Sequence, residues 1–289
     1  MSRFPPTGMD MVNRRETRWQ AGAGDEECNR AILVSVSTFD HGVPLCKRPG
    51  AKKDNKRLHR TLTRLGYKVE IHTDLNAQEI LTLFKTESER KVKECFLAVL
   101  SSHGEDGCVF GADGQPVRLS HIFSCFSNTH MESKTKLFFI QACRGGELDD
   151  GVTVETDSAG SDGTEDTLCQ YLSIPMDTAV MYATTPGYGA FMHPLGAVFL
   201  QTLCILLEEE GGGAMELTRL LTRLSHRVAF HFEAKGCVFG GKKEMPCFVS
   251  RLTREVFPFA RPEKGGANGL STTTLVDTVY NRPRKPSIS

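Results

Sequence analysis

Three short apolar runs constrain this chain most: Cys95-Phe-Leu-Ala-Val-Leu100, Lys136-Leu-Phe-Phe-Ile140 and Ala179-Val-Met-Tyr-Ala183. None alternates between apolar and polar residues. Each is bounded by polar turns, and helical patterns separate them. A strand that is apolar on both faces must be covered on both faces, which implies a mainly parallel sheet with helices on either side, an α/β fold. Ala31-Ile-Leu-Val-Ser-Val36 reads as a further buried strand.

The segments between the strands fit that plan. A Gly/Pro/Lys-rich loop is expected from His41 to about Lys53. Asn55 to Leu65 then carries Leu58, Leu62 and Leu65 at helical spacing, with Gly66 as the terminating residue. Tyr67 to Ile71 alternates like a strand. Asn76 is a candidate N-cap for an amphipathic helix through Ile80, Leu81, Leu83 and Phe84. Helices are expected over Val198–Glu208 and Met215–Phe230, split by Gly211–Gly213, and a last strand over Cys247–Leu252. No internal repeat is visible.

Charge and cysteine usage exclude several classes. The 35 basic and 35 acidic side chains cancel, so no global field favours nucleic acid or an acidic membrane. The cluster Lys47, Arg48, Lys52, Lys53, Lys56 and Arg57 is local. No apolar run approaches the ~18 residues of a membrane span. The N-terminal residues have no continuous apolar stretch after Arg3, which argues against a secretory signal. Most of the ten cysteines lie in apolar runs, so reduced thiols in a cytoplasmic protein are expected, with Cys95, Cys204 and Cys247 as small core residues. No Cys/His group has zinc-ligand spacing, and neither a metal nor another cofactor is implied.

Ligands of an open parallel sheet bind beyond the carboxyl ends of its strands. One apolar run leads to His103 and the next to Cys143, so both side chains should emerge at the same edge. A thiol becomes a good nucleophile as its thiolate, and a neighbouring imidazole can generate it and later protonate a leaving amine. Gly104 follows His103, and its N–H with that of Cys143 could bind a developing oxyanion. Spacing alone is weak support for such a pair. The local sequence Gln141-Ala-Cys-Arg-Gly145 is far more specific.

At these residues the chain resembles the caspases of the short-prodomain executioner type. The resemblance runs from about Ala31 to Phe259 and includes Ser102-His-Gly-Glu-Asp-Gly107, Tyr182-Ala-Thr-Thr-Pro-Gly-Tyr188 and Lys242-Lys-Glu-Met-Pro-Cys247. It implies a three-layer sandwich around a mostly parallel six-stranded sheet, and a cysteine endopeptidase that cleaves protein substrates after Asp in apoptosis. Cys143 would be the nucleophile, His103 the general acid/base, and the Gly104 and Cys143 amides the oxyanion site. Arg48 and Gln141 match the pocket for the P1 carboxylate, and Phe191 matches an aromatic pocket residue. The chain departs from the family at Met192, where a second pocket Arg is expected, and at Gly189, where an aromatic is usual. Methionine cannot supply a bidentate contact to a carboxylate. Three outcomes follow: weak cleavage after Asp, acceptance of another P1 residue, or a catalytically poor protein that regulates an active relative by pairing or by substrate competition.

The resemblance also implies a zymogen. Residues 1–27 read as a short disordered prodomain, 28–157 as the large-subunit part, 158–260 as the small-subunit part, and 261–289 as a disordered tail. Gly146 to Ser173 holds eight carboxylates and no Lys or Arg, so it reads as an exposed loop, with an acidic linker at 158–173. Val154-Glu-Thr-Asp157 before Ser158 is the expected cut, made by an upstream protease. The last strand should lie at a sheet edge and pair with its mate in a homodimer.

Overall fold

The computed structural model describes residues 28–149, 173–209, 211–235 and 240–260. Its strands are β1 (Arg30–Ser35), β2 (Lys68–Thr73), β3 (Cys95–Ser101), β4 (Gly104–Glu105), β5 (Cys108–Phe110), β6 (Pro116–Arg118), β7 (Thr135–Gln141), β8 (Thr178–Tyr182), β9 (Met192–His193), β10 (Gly196–Ala197) and β11 (Cys247–Ser250). Its helices are α1 (Ala51–Arg64), α2 (Ala77–Glu89), α3 (Leu119–Ser124), α4 (Val198–Glu208) and α5 (Leu217–His231).

Six strands form the central sheet in the order β11-β8-β7-β3-β1-β2. All its pairings are parallel except β11 with β8. Strand alternation splits the apolar runs between two cores. Leu97 and Val99 of β3, Leu137 and Phe139 of β7 and Met181 of β8 face α1, α4 and α5. Phe96, Ala98 and Leu100, Phe138 and Ile140, and Val180 face α2 and α3. Both faces are therefore covered, which is why the runs show no alternation in sequence. Phe96, Phe126 and Phe138 form an aromatic cluster on the second face, with ring centroids 4.8 to 6.3 Å apart.

Local signals place the helix ends. The Asn76 side chain accepts from the Glu79 amide at 2.8 Å, and the Glu79 carboxylate accepts from the Asn76 amide at 2.9 Å, a reciprocal cap for α2. Gly66 closes α1 at φ 89°, and the Tyr67 amide returns to the Leu62 carbonyl.

Several boundaries and one burial differ from the sequence reading. α1 begins at Ala51, inside the expected loop. Its first turn buries Asp54 and Asn55, polar residues that carry no apolar periodicity. α5 begins at Leu217, and β11 ends at Ser250 rather than Leu252. Cys95 and Cys204 are core thiols, pushed by burial up to about 12. Cys247 is only half-buried: its sulfur takes a hydrogen bond from the Arg144 guanidinium at 3.2 Å, a polar environment that an apolar run does not reveal.

Candidate active site

β3 and β7 are adjacent, parallel and in register, with Ser101 opposite Gln141. The chain leaves both strands at the same edge, so His103 and Cys143 come together as the sequence predicts. They line one cavity of about 160 Å³ together with Arg48, Gln141, Ala190 and Met192. Pockets for drug-sized molecules are typically ~300–1,000 Å³. This one is scaled to a single side chain.

The His103 Nε2 lies 2.8 Å from the Cys46 carbonyl oxygen. A carbonyl only accepts, so Nε2 carries the proton and Nδ1 keeps its lone pair. The ring also packs against Phe39, with centroids 5.3 Å apart. Burial lowers the imidazole pKa, the Cys46 carbonyl opposes that shift and the Arg48 charge adds to it. Near neutral pH His103 is therefore an uncharged base. The Cys143 sulfur accepts from the Ala190 amide at 3.4 Å and faces the Ala190 carbonyl at 3.8 Å. Thiol and imidazole do not hydrogen-bond each other directly, a looseness ordinary in a site without substrate.

Arg48 is 5% exposed. Its guanidinium donates to the Val36 carbonyl at 2.8 Å and to the Ser101 hydroxyl at 2.9 Å, which fixes the fork. Burial lowers its pKa to about 10, against the raising influence of Asp54 and Cys143. Among the described residues no carboxylate forms an ion pair with Arg48. Asp54 acts on it only at a distance, because its oxygens are engaged by the Ala197 amide at 2.9 Å and by Gln201 at 2.6 Å. Gln141 is 1% exposed, and its Oε1 has no hydrogen-bond partner. A buried cation on a small cavity is costly unless an anion meets it, and the bare Gln141 oxygen, an acceptor, calls for a donor.

Gly104 begins the β4–β5 hairpin. A Cβ there would sit 2.6 Å from the Cys108 carbonyl oxygen and 2.9 Å from the Ala142 Cβ, so only glycine fits beside the turn that carries Cys143. Phe191 lies off the cavity. Its neighbours Ala190 and Met192 line the cavity, and its own ring packs on Phe232 with centroids 5.1 Å apart. His193 is exposed, and its Nδ1 takes the Leu195 amide. Arg144 points away: it packs 4.1 Å over the Tyr182 ring and bonds to Asp106 and the Thr184 carbonyl. Asp157 and the linker 158–173 as far as 172 lie outside the described residues, as do 1–27 and 261–289.

Sequence reasoning missed Asp54, Phe232 and Glu244. Asp54 and Gln201 meet across two helices far apart in the chain, and Glu244 sits inside a motif quoted only as a resemblance.

The profile of the Caspase domain family matches residues 28–257. Caspase-3 of Bos taurus is 36% identical over 239 residues, covering 80% of this chain and 84% of the bovine protein. Caspase-7 of Gallus gallus is 33% identical over 241 residues, covering 80% and 77%. The crystal structure of caspase-1 from Spodoptera frugiperda superposes with a TM-score of 0.70 at 28% identity, covering 82% of this chain and 93% of that one. By that match over most of its length, and with the same six-stranded α/β architecture, the chain belongs to the caspase family of cysteine peptidases.

Proposed function

We propose that the chain is an endopeptidase that cleaves proteins after Asp and is made as a zymogen cut at Asp157. The observation that carries this reading is Arg48: a buried guanidinium, held by two neutral acceptors, on the cavity that also holds the nucleophile. The side chain that best matches a buried, geometrically fixed cation is a short carboxylate. The P1 Asp enters beside Arg48 and Gln141, while its carbonyl carbon lies over Cys143.

The steps follow from the placement. His103 Nδ1 takes the thiol proton, and the Cys143 sulfur attacks the carbonyl carbon. The oxyanion that forms is held by the Gly104 and Cys143 amides. As the C–N bond breaks, the imidazolium returns the proton to the leaving amine. Water, deprotonated by His103, then hydrolyses the thioester and frees the acid.

Met192 stands on the cavity where the family resemblance places a second Arg. It adds no donor to the carboxylate, so turnover on Asp substrates is weaker than a two-arginine pocket gives. This favours, as a second reading, a poor enzyme that acts by pairing with an active relative. Assembly uses β11, an edge strand whose Phe248 is exposed; it pairs with the same strand of a second copy. An upstream protease cuts the acidic linker.

Overexpression of the full chain tests the reading. A split after Asp157 that disappears in Cys143→Ala supports an Asp-directed peptidase. If the purified chain, cut in the linker, cleaves no peptide at any P1 residue in a Cys143-dependent way, the protease reading fails and the partner reading remains.

A further inference from the structure

The wall of the cavity opposite His103 is short irregular chain, and three consecutive amides tie it to three different groups. Gly189 donates to the Glu147 carbonyl at 2.8 Å, Ala190 to the Cys143 sulfur at 3.4 Å, and Phe191 to the Glu244 carboxyl at 2.6 Å. The first two acceptors come from the turn after β7. The third is a side chain from the segment before β11.

Glu244 is 0% exposed, and the oxygen not used by Phe191 has no hydrogen-bond partner. The charged groups on the surrounding segments are committed elsewhere. Lys243 reaches Glu233 at 3.1 Å, and Arg144 bonds to Asp106. His193 turns its Nδ1 to the Leu195 amide. Among the described residues Glu244 has one amide and no cation, and a fully buried anion so placed is strongly disfavoured, so the group is the neutral acid. Burial raises its pKa to about 8, which the Phe191 amide only partly opposes.

We propose that Glu244 is a positioning residue for peptide cleavage: by accepting the Phe191 amide it holds Ala190 and Met192 against Cys143 and so shapes the cavity that receives P1. The proposal deepens the protease reading and rests on it for its kinetic part. Ionisation of Glu244 places an unpaired charge behind the wall and loosens it, so substrate engagement weakens as the pH rises past about 8. The effect is read first on KM, because Ala190 and Met192 line the cavity that receives the substrate; the tie from the Ala190 amide to the Cys143 sulfur lets kcat move with it.

The full chain, cut in the linker, is assayed from pH 6 to 9.5 as wild type, Glu244→Gln and Glu244→Ala. The expected result is a KM that rises above about pH 8 in the wild type and stays flat in Glu244→Gln, whose amide oxygen still accepts from Phe191. Glu244→Ala raises KM about tenfold at every pH, the loss of a tie worth one order in binding. A second readout needs no turnover: iodoacetamide alkylation of Cys143, whose sulfur is held by the Ala190 amide in the intact wall. It is expected to quicken severalfold in Glu244→Ala and to return toward the wild-type rate in Glu244→Gln. An alkylation response in a chain that cleaves nothing would overturn the protease reading and keep Glu244 as the positioning residue. Should Glu244→Gln keep the alkaline rise in KM, or Glu244→Ala fold and alter neither readout, the proposal is overturned.

Discussion

The two sides of the cavity are built differently. The side bearing His103 and Cys143 is the end of β3 and β7, seven-residue strands buried along their whole length and paired in strict register. The facing wall is Ala190 and Met192, the end of an irregular stretch that runs into the two-residue β9 and is held by amide ties to other segments and by the start of α1. A Cβ on Gly50 would come 2.2 Å from the His193 carbonyl oxygen, so the wall leans directly on that helix start. His103 and Cys143 thus sit at the end of the rigid sheet, while Ala190 and Met192 sit on a short segment packed against the core from outside.

The largest effect should come from the rigid side. Cys143→Ala removes the proposed nucleophile and is expected to lower kcat by on the order of 10⁴-fold or more, read by peptide hydrolysis, with the fold retained. Measurable turnover near the wild-type rate would break the assignment. Next is the cation between the two sides. Arg48→Met removes a charge-assisted contact of about 1.5–3 kcal/mol and should cost roughly ten- to 150-fold in kcat/KM for Asp at P1. Arg48→Lys should not restore it, because a point charge cannot reproduce the fork that bonds Val36 and Ser101.

The wall offers the converse experiment. Met192→Arg should raise kcat/KM for Asp substrates about tenfold, if the segment carries specificity and little stability. A loss of thermal stability without a gain in rate would instead make Met192 a packing residue.

The smallest effect lies behind the wall, where α1 meets α4. Arg57 pairs with Glu208 at 2.5 Å, and Thr61 donates to the same carboxylate at 2.6 Å. These contacts hold the Glu208 carboxyl down to about 2. Its folded pKa is depressed, so its contribution is present above the ordinary carboxylate range near 4.5 and is lost as the pH falls through about 2. Glu208 is partly exposed, so solvent screening keeps the contribution near 1 kcal/mol. Glu208→Gln should therefore unfold at slightly lower denaturant than wild type at pH 7 and match it at pH 2.

The same contrast explains what the sequence makes legible. Cys95–Leu100 and Lys136–Ile140 announce themselves because burial on both faces leaves an unbroken apolar run, and the residues just beyond them fall at one edge by geometry alone. Arg48, Gln141 and the loop that holds them follow from a motif resemblance, not from any local pattern. Asp54 under Ala197 and Glu244 under Phe191 are ties across more than fifty residues of chain, made by polar side chains that look like solvated charges in sequence. α1 starts early for the same reason: Gly50 and Asp54 are chosen by the wall they touch, not by helical periodicity. Cys247 looks apolar in its run, yet its sulfur serves the Arg144 guanidinium.

The most direct test of the account compares kcat/KM for two peptides that differ only in Asp or Asn at P1, using the chain cut in the linker. The account predicts that Asp is preferred by at least about tenfold, and that the preference disappears in Arg48→Met while Cys143-dependent cleavage persists. Equal rates for Asp and Asn in the wild type would contradict it, since the buried Arg48 would then have no carboxylate to receive.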